Sequence, residues 1–121
     1  MKLFYSAIFT ILLIFSSVES KAEDAVMIIR FNKEMVNYKK PLQKVIGSTL
    51  NVKSDAFFDI VSIVPETNSS RVNRRNKTQS AFYSNNVVDV LRESGIGPDN
   101  IRITFQDSDL VKNSEVHIFV R

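Results

Sequence analysis

Ser84–Ile96, SNNVVDVLRESGI, reads as the closing turns of an amphipathic helix followed by its stop signal. Ser84, Val87, Val88 and Leu91 recur at the spacing that lines one helix face, and Ala81 extends that face backwards. Gly95 stands where a helix C-terminus favours a residue free to take positive φ. Ile96 is placed to tuck back onto the helix, and Gly97-Pro98 prevents its continuation. The pattern predicts a helix from about Thr78 to Ser94. Upstream, Glu66–Lys77 (ETNSSRVNRRNK) is the one long polar stretch, read as a solvated loop carrying Arg71, Arg74, Arg75 and Lys77. Before it, Phe57–Val64 (FFDIVSIV) is an apolar run of strand length that Pro65 stops.

Outward from this centre, two more strands follow and a strand and helix precede. Ile101–Gln106 alternates, with Ile101, Ile103 and Phe105 on one side and Arg102, Thr104 and Gln106 on the other. Asp107–Asn113 is a turn region. Glu115–Arg121 alternates again, with Val116, Ile118 and Val120 inward and His117 and Arg121 outward. On the other side, Ala25–Phe31 (AVMIIRF) is apolar on both faces, which suits a central strand better than an edge. Asn37 is placed to cap a helix ending near Leu50, in which Tyr38, Leu42, Val45, Ile46 and Thr49 share a face. Pro41 falls in its first turn, where a missing N–H costs little. The order β-α-β-α-β-β predicts an α+β domain with two helices on one face of a four-stranded sheet.

The N-terminus reads as an export signal. Lys2 supplies a positive start, Leu3–Ser17 is an almost unbroken apolar run, and Ser20-Lys21-Ala22 offers small residues at the −3 and −1 positions of a cleavage site. The expectation is a cleavable signal peptide over 1–22 and a single domain over 23–121. Retention of the leader as an anchor is the alternative, although the run is short of the ~20 apolar residues a spanning helix needs. No later segment is apolar enough to cross a bilayer. The chain has no cysteine, which removes disulfides, thiolate catalysis, zinc–thiolate sites and a lipoprotein attachment site. Of the net charge of +3, part belongs to the leader through Lys2, Lys21 and Glu19, so the exported remainder carries too weak a field to argue for nucleic acid.

Beyond order and length, several strings together resemble the OmpA-like, peptidoglycan-associating domain family. RFNK at Arg30–Lys33 is similar to the FxxxK/FNK exit of that family's first strand, and PETN at Pro65–Asn68 falls where it commonly has G-H/Y-T-D. Asn76 and Ser80 fall on the Asn and Ser of its N-x-x-L-S run. SNNVVDVLRESGI resembles its A-x-x-V-x-x-Y-L-x-x-x-G-I helix and turn, and EVHIFVR its closing R-V-E-I strand. The resemblance implies an OmpA-like two-layer sandwich with a mixed sheet. It also implies a ligand site at Thr67, Asn68, Asn76, Ser80 and Tyr83. In the family an Asp and an Arg grip the diaminopimelate of a peptide stem with complementary charges. Here Asn68 and Tyr83 stand at those positions, and Asn113-Ser114-Glu115 replaces the family's Asn-Arg-Arg. Losing one charged hydrogen bond costs ~1.5–3 kcal/mol, so the usual grip is not carried over with the fold.

The resulting expectation is a non-catalytic protein of the periplasm, associated with the outer membrane in one variant of the reading. It would serve as a docking module in an envelope or secretion assembly of the type IV secretion or pilus-like kind. Its partner would be an envelope or secretion-apparatus protein, met through the sheet's open face or the basic segment Arg71, Arg74, Arg75 and Lys77. Peptidoglycan binding by a modified pocket, with help from Glu66, Arg74 or Arg75, is the alternative. No cofactor and no metal site are expected: His117 is the sole histidine and lies outward on a strand. Asp59 with Glu66, and Asp107 with Asp109, lack the buried setting of acid–base pairs, and Ser69 and Ser70 lack a nucleophile elbow. Phe57, Phe82 and Phe119 fall opposite the core face of their elements, either buried under neighbours or forming a partner-binding surface.

Overall fold

The computed structural model describes residues 24–121 and, ahead of them, the backbone of two short antiparallel strands, Ser6–Ile8 and Thr10–Ile11. The leader expected over 1–22 otherwise lies outside the described residues. The main elements are β1 (Met27–Arg30), α1 (Lys39–Val52), β2 (Phe58–Pro65), α2 (Ser70–Glu93), β3 (Ile101–Ser108) and β4 (Glu115–Val120). A single 3-10 turn, Pro98–Asn100, leads into β3.

The sheet order is β1-β4-β2-β3. β4 runs antiparallel to both β1 and β2, and β3 runs parallel to β2, with α2 as the crossover that a parallel pair requires. This is the α+β two-layer sandwich read from the sequence: two helices over one face of a four-stranded mixed sheet. One row of the ladder shows how the core forms. Met27, Ile118, Ile60 and Ile103 lie side by side across all four strands, facing the helices. Leu42 and Ile46 of α1 and Val87 and Leu91 of α2 close over that face, all fully buried. Each such side chain contributes about 1.5–3 kcal/mol through burial.

The buried residues of α2 change character along its length. Its C-terminal half brings Val87, Val88, Val90 and Leu91 to the core, but nearer its start the buried residues are Ser80 and Ser84. Opposite them the apolar run of β2 is broken by Ser62, also fully buried. Ser62 Oγ donates to the Ser80 carbonyl at 3.4 Å and Ser84 Oγ to the same carbonyl at 2.9 Å. Ser80 Oγ lies 2.6 Å from Ser114 Oγ, at the threshold of β4. Small hydroxyl side chains let helix and sheet approach closely while satisfying one another.

The helix end is as anticipated. Gly95 takes φ +98°, its N–H reaches the Arg92 carbonyl at 3.0 Å, and Ile96 N–H reaches the Leu91 carbonyl at 3.1 Å. This pair of bonds is the Schellman arrangement, and Ile96 is buried in the core.

Three expectations are corrected. The segment carrying Arg71, Arg74, Arg75 and Lys77 is no loop: α2 begins at Ser70, so all four cations ride on its first two turns. Ser69 caps it, its Oγ accepting from Val72 N–H at 3.2 Å. These turns expose nearly all their side chains, so they leave no apolar periodicity to read. β1 is an edge strand; its second apolar face (Val26, Ile28) lies exposed on the uncovered side of the sheet. The cap of α1 is Tyr38, which makes no side-chain cap bond, in place of Asn37. Ile101, Ile103 and Phe105 do share one side, but Phe105 is 51% exposed because α2 packs on β2 and β4 and leaves the far half of the edge strand uncovered.

Phe57, Phe82 and Phe119 do not form one surface. Phe57 and Phe119 are half-buried on the sheet's open face, with the Arg121 guanidinium 4.6 Å above the Phe57 ring. Phe82 is 62% exposed on α2, in the other layer.

Candidate functional site

Where β1 exits, β2 ends and the β3–β4 connection returns, α2 walls off a cleft of about 320 Å³. Phe31 and Lys33 come from the β1 exit, Pro65 from the end of β2, and Lys112, Asn113 and Ser114 from the connection. Arg75, Asn76, Gln79 and Tyr83 come from α2. Arg75, Gln79 and Tyr83 are four residues apart in turn, which stacks them on one stripe of the helix.

The cleft is held open by bonds among its own walls. Tyr83 stacks on Phe31 with ring centroids 4.1 Å apart and planes 4° from parallel, and Tyr38 meets Phe31 edge-on at 5.8 Å. Such pairs are worth about 0.5–1.5 kcal/mol beyond the area they bury. Burial, with a smaller push from the Asp89 charge, raises the Tyr38 phenol above its ordinary pKa. Gln79 Nε2 donates to the Tyr83 hydroxyl at 3.2 Å, and Asn76 Nδ2 donates to the Pro65 carbonyl at 3.1 Å. The Ser80–Ser114 bond fixes the opposite wall.

The lining carries three cations, Lys33, Arg75 and Lys112, and no carboxylate. None of the ion pairs among the described residues involves any of the three. Chemically the cleft favours negative charge, with aromatic rings and amide groups in its walls.

Of the site residues read from sequence, Asn76 and Tyr83 line this cleft. Ser80 lies behind it, fully enclosed and bonded to Ser114, and does not face the opening. Thr67 belongs to the capping structure of α2: its N–H and Oγ1 both donate to Asn73 Oδ1, at 2.7 and 2.9 Å. Asn73 Nδ2 returns a bond to the Thr67 carbonyl at 2.9 Å. Asn68 is exposed just ahead of the Ser69 cap. Of the basic residues, Arg75 joins the cleft. Lys77 instead lines a smaller pocket of about 60 Å³ with Glu66, Asn73 and Asp107. Arg71 and Arg74 are exposed and line neither.

Sequence reasoning missed Phe31, Gln79 and Lys112 as site residues, and treated Lys33 and Asn113 only as parts of strings. The spacing of Arg75, Gln79 and Tyr83 was the available signal, hidden by reading the first as part of a loop.

Of the six ion pairs among the described residues, Lys39–Glu93 and Asp89–Arg92 lie on the helices and the other four on the sheet's open face. Asp59 receives Arg102 Nε at 2.9 Å and Arg121 Nε at 2.8 Å on its two oxygens. Glu115 binds His117 Nε2 at 2.8 Å and lies 3.5 Å from Arg30 Nε. Among the described residues no cluster of acidic or histidine side chains could hold a metal ion, and no helix is long and apolar enough to cross a membrane. The chain matches no protein-family model and no curated protein sequence.

Proposed function

We propose that this chain is an exported, non-catalytic docking module of the cell envelope. It acts in the periplasm as an accessory component of an envelope or secretion assembly of the type IV secretion or pilus-like kind. Its partner is another envelope protein. The β-α-β-α-β-β order and the helices on one face agree with the resemblance to OmpA-like domains, and the N-terminal apolar run supports export.

The observation that carries the reading is the cleft's charge. It presents three cations without an ion-pair partner among the described residues and no carboxylate. A zwitterionic diaminopimelate would find a counter-charge for its carboxylate and none for its ammonium, and an unpaired charge taken out of water is costly. Catalysis finds little support. The buried serines bond to one another, and His117 faces the opposite side of the sheet.

In vivo crosslinking followed by purification from native envelopes tests this. A reproducible protein partner is expected, and its absence across crosslinkers of different reach would sink the idea. The second reading, peptidoglycan binding through a modified pocket, is favoured by the Asn76 and Asn113 amides beside the Tyr83 ring, which suit a glycopeptide. Sedimentation with purified sacculi at low salt separates the two: the docking reading expects the protein in the supernatant.

A further inference from the structure

We propose that the cleft between α2 and the β3–β4 connection binds carboxylates of an acidic peptide segment presented by a partner protein. This rests on the docking reading and names what the site recognises.

The charge arrangement is the first ground. Arg71, Arg74, Arg75 and Lys77 crowd the first two turns of α2, whose first turn holds no acid. Backbone dipoles at a helix N-terminus favour anions, so Arg71, in the first turn, opposes the local field. None of the four is in an ion pair among the described residues, and only Lys77 has carboxylates nearby, sharing a small pocket with Glu66 and Asp107. A local rule broken without compensation in the fold is the mark of a surface shaped for a ligand. Of the four only Arg75 lines the cleft, and Lys33 and Lys112 bring positive charge to it from two other parts of the chain.

The amides are the second ground, and they favour a ligand with both donors and acceptors, such as a peptide, over a phosphate. Asn76 commits its Nδ2 to the Pro65 carbonyl, and Gln79 commits its Nε2 to the Tyr83 hydroxyl. Each amide keeps its carbonyl oxygen, an acceptor, and one further N–H. A phosphodiester offers only acceptors, so it can take those N–H groups but leaves the oxygens without a donor. A peptide carries N–H donors beside its carboxylates and can satisfy both the carbonyls and the cations at once. The cleft volume, at the lower end of ligand sites, suits one or two residues of such a segment.

Fluorescence anisotropy with a labelled peptide of alternating glutamate and glycine tests this, alongside an analogue in which glutamine replaces every glutamate. The protein is compared with Arg75→Glu, Lys112→Glu and, as an equal charge change away from the cleft, Lys44→Glu. Thermal melts followed by circular dichroism establish that each variant is folded. The expected result is saturable binding of the acidic peptide, weakened about tenfold or more by each cleft reversal. It should be little changed by Lys44→Glu, and the neutral analogue should fail to bind. Titration should also move the Asn76 and Gln79 side-chain amide resonances. Equal loss with Lys44→Glu, displacement of the peptide by inorganic phosphate at comparable concentration, or resonance shifts confined to the sheet's open face would each overturn the assignment. So would sedimentation with sacculi that Arg75→Glu abolishes. A crosslinked envelope partner without peptide binding removes the cleft assignment and leaves the docking module standing. Peptide binding without any crosslinked partner does the reverse.

Discussion

Ser80 on α2 and Ser114 at the start of β4 are 34 positions apart in the chain, both buried, with their hydroxyl oxygens 2.6 Å apart. Each is the other's partner, so removing either leaves a hydroxyl unsatisfied in the interior. Ser80→Ala or Ser114→Ala should each destabilise the domain by about 1–3 kcal/mol. For a domain of this size that is roughly 4–8 °C of Tm per kcal/mol. The double variant should cost less than the sum, since neither partner is then orphaned. Additive losses in thermal melts would show that the pair does not couple.

Asp59 gives the fold an acid-sensitive clasp. Its burial pushes the carboxyl pKa up, but the hydrogen bonds from Arg121 and Arg102, together with their charges, outweigh this and hold it below the ordinary value of 3.8. A carboxyl with a lowered folded pKa contributes stability above its unfolded value, and that stability is lost as pH falls through the folded one. The protein should therefore lose Tm progressively below about pH 4. Asp59→Asn should be less stable at neutral pH and show a flatter acid limb. Parallel acid limbs for the two proteins would remove Asp59 from the account.

The cations on α2 set stability against binding. Arg71 sits in the first turn, where an acid interacts favourably with the helix dipole. Arg71→Glu should raise stability by about 0.3–1 kcal/mol, measured as a higher denaturant midpoint at unchanged slope. Arg74→Glu with Arg75→Glu should in turn weaken any acidic-partner contact and blunt its salt dependence. Binding unaffected by that pair would clear the helix start of a role.

Gly95 has open space around its Cβ position, so a side chain there would meet no obstruction. Its φ of +98° is the constraint. Gly95→Ala should still cost about 1–2 kcal/mol through the backbone alone. A neutral result in chemical denaturation would mean that the helix end can re-form without positive φ.

The cap of α2 can be tested separately from its charge. Ser69→Ala removes the bond to Val72 N–H and should cost about 1 kcal/mol. Because the Thr67–Asn73 ring remains, hydrogen exchange should quicken in the first turn of α2 and not around Leu91.

Periodicity made the buried half of each element legible before any coordinates. Val87, Leu91, Val116 and Ile118 had to face inward because alternation and helical spacing left no other common face. The Gly95–Ile96 stop was equally plain, because a positive φ and a helix-terminal apolar contact are local requirements. These local patterns, by themselves, determined the α+β class and the order of its elements. Where an element is exposed the apolar signal vanishes. The first two turns of α2 therefore read as a loop, and β1 read as central although its second apolar face is merely uncovered. The cleft was decided by tertiary structure alone. Phe31, the Arg75–Tyr83 stripe and Lys112 come from three separate parts of the chain. They converge because β4 enters the sheet between β1 and β2, which carries the β3–β4 connection to the β1 exit beside α2. Side chains brought together by strand order share no spacing that a linear sequence can display.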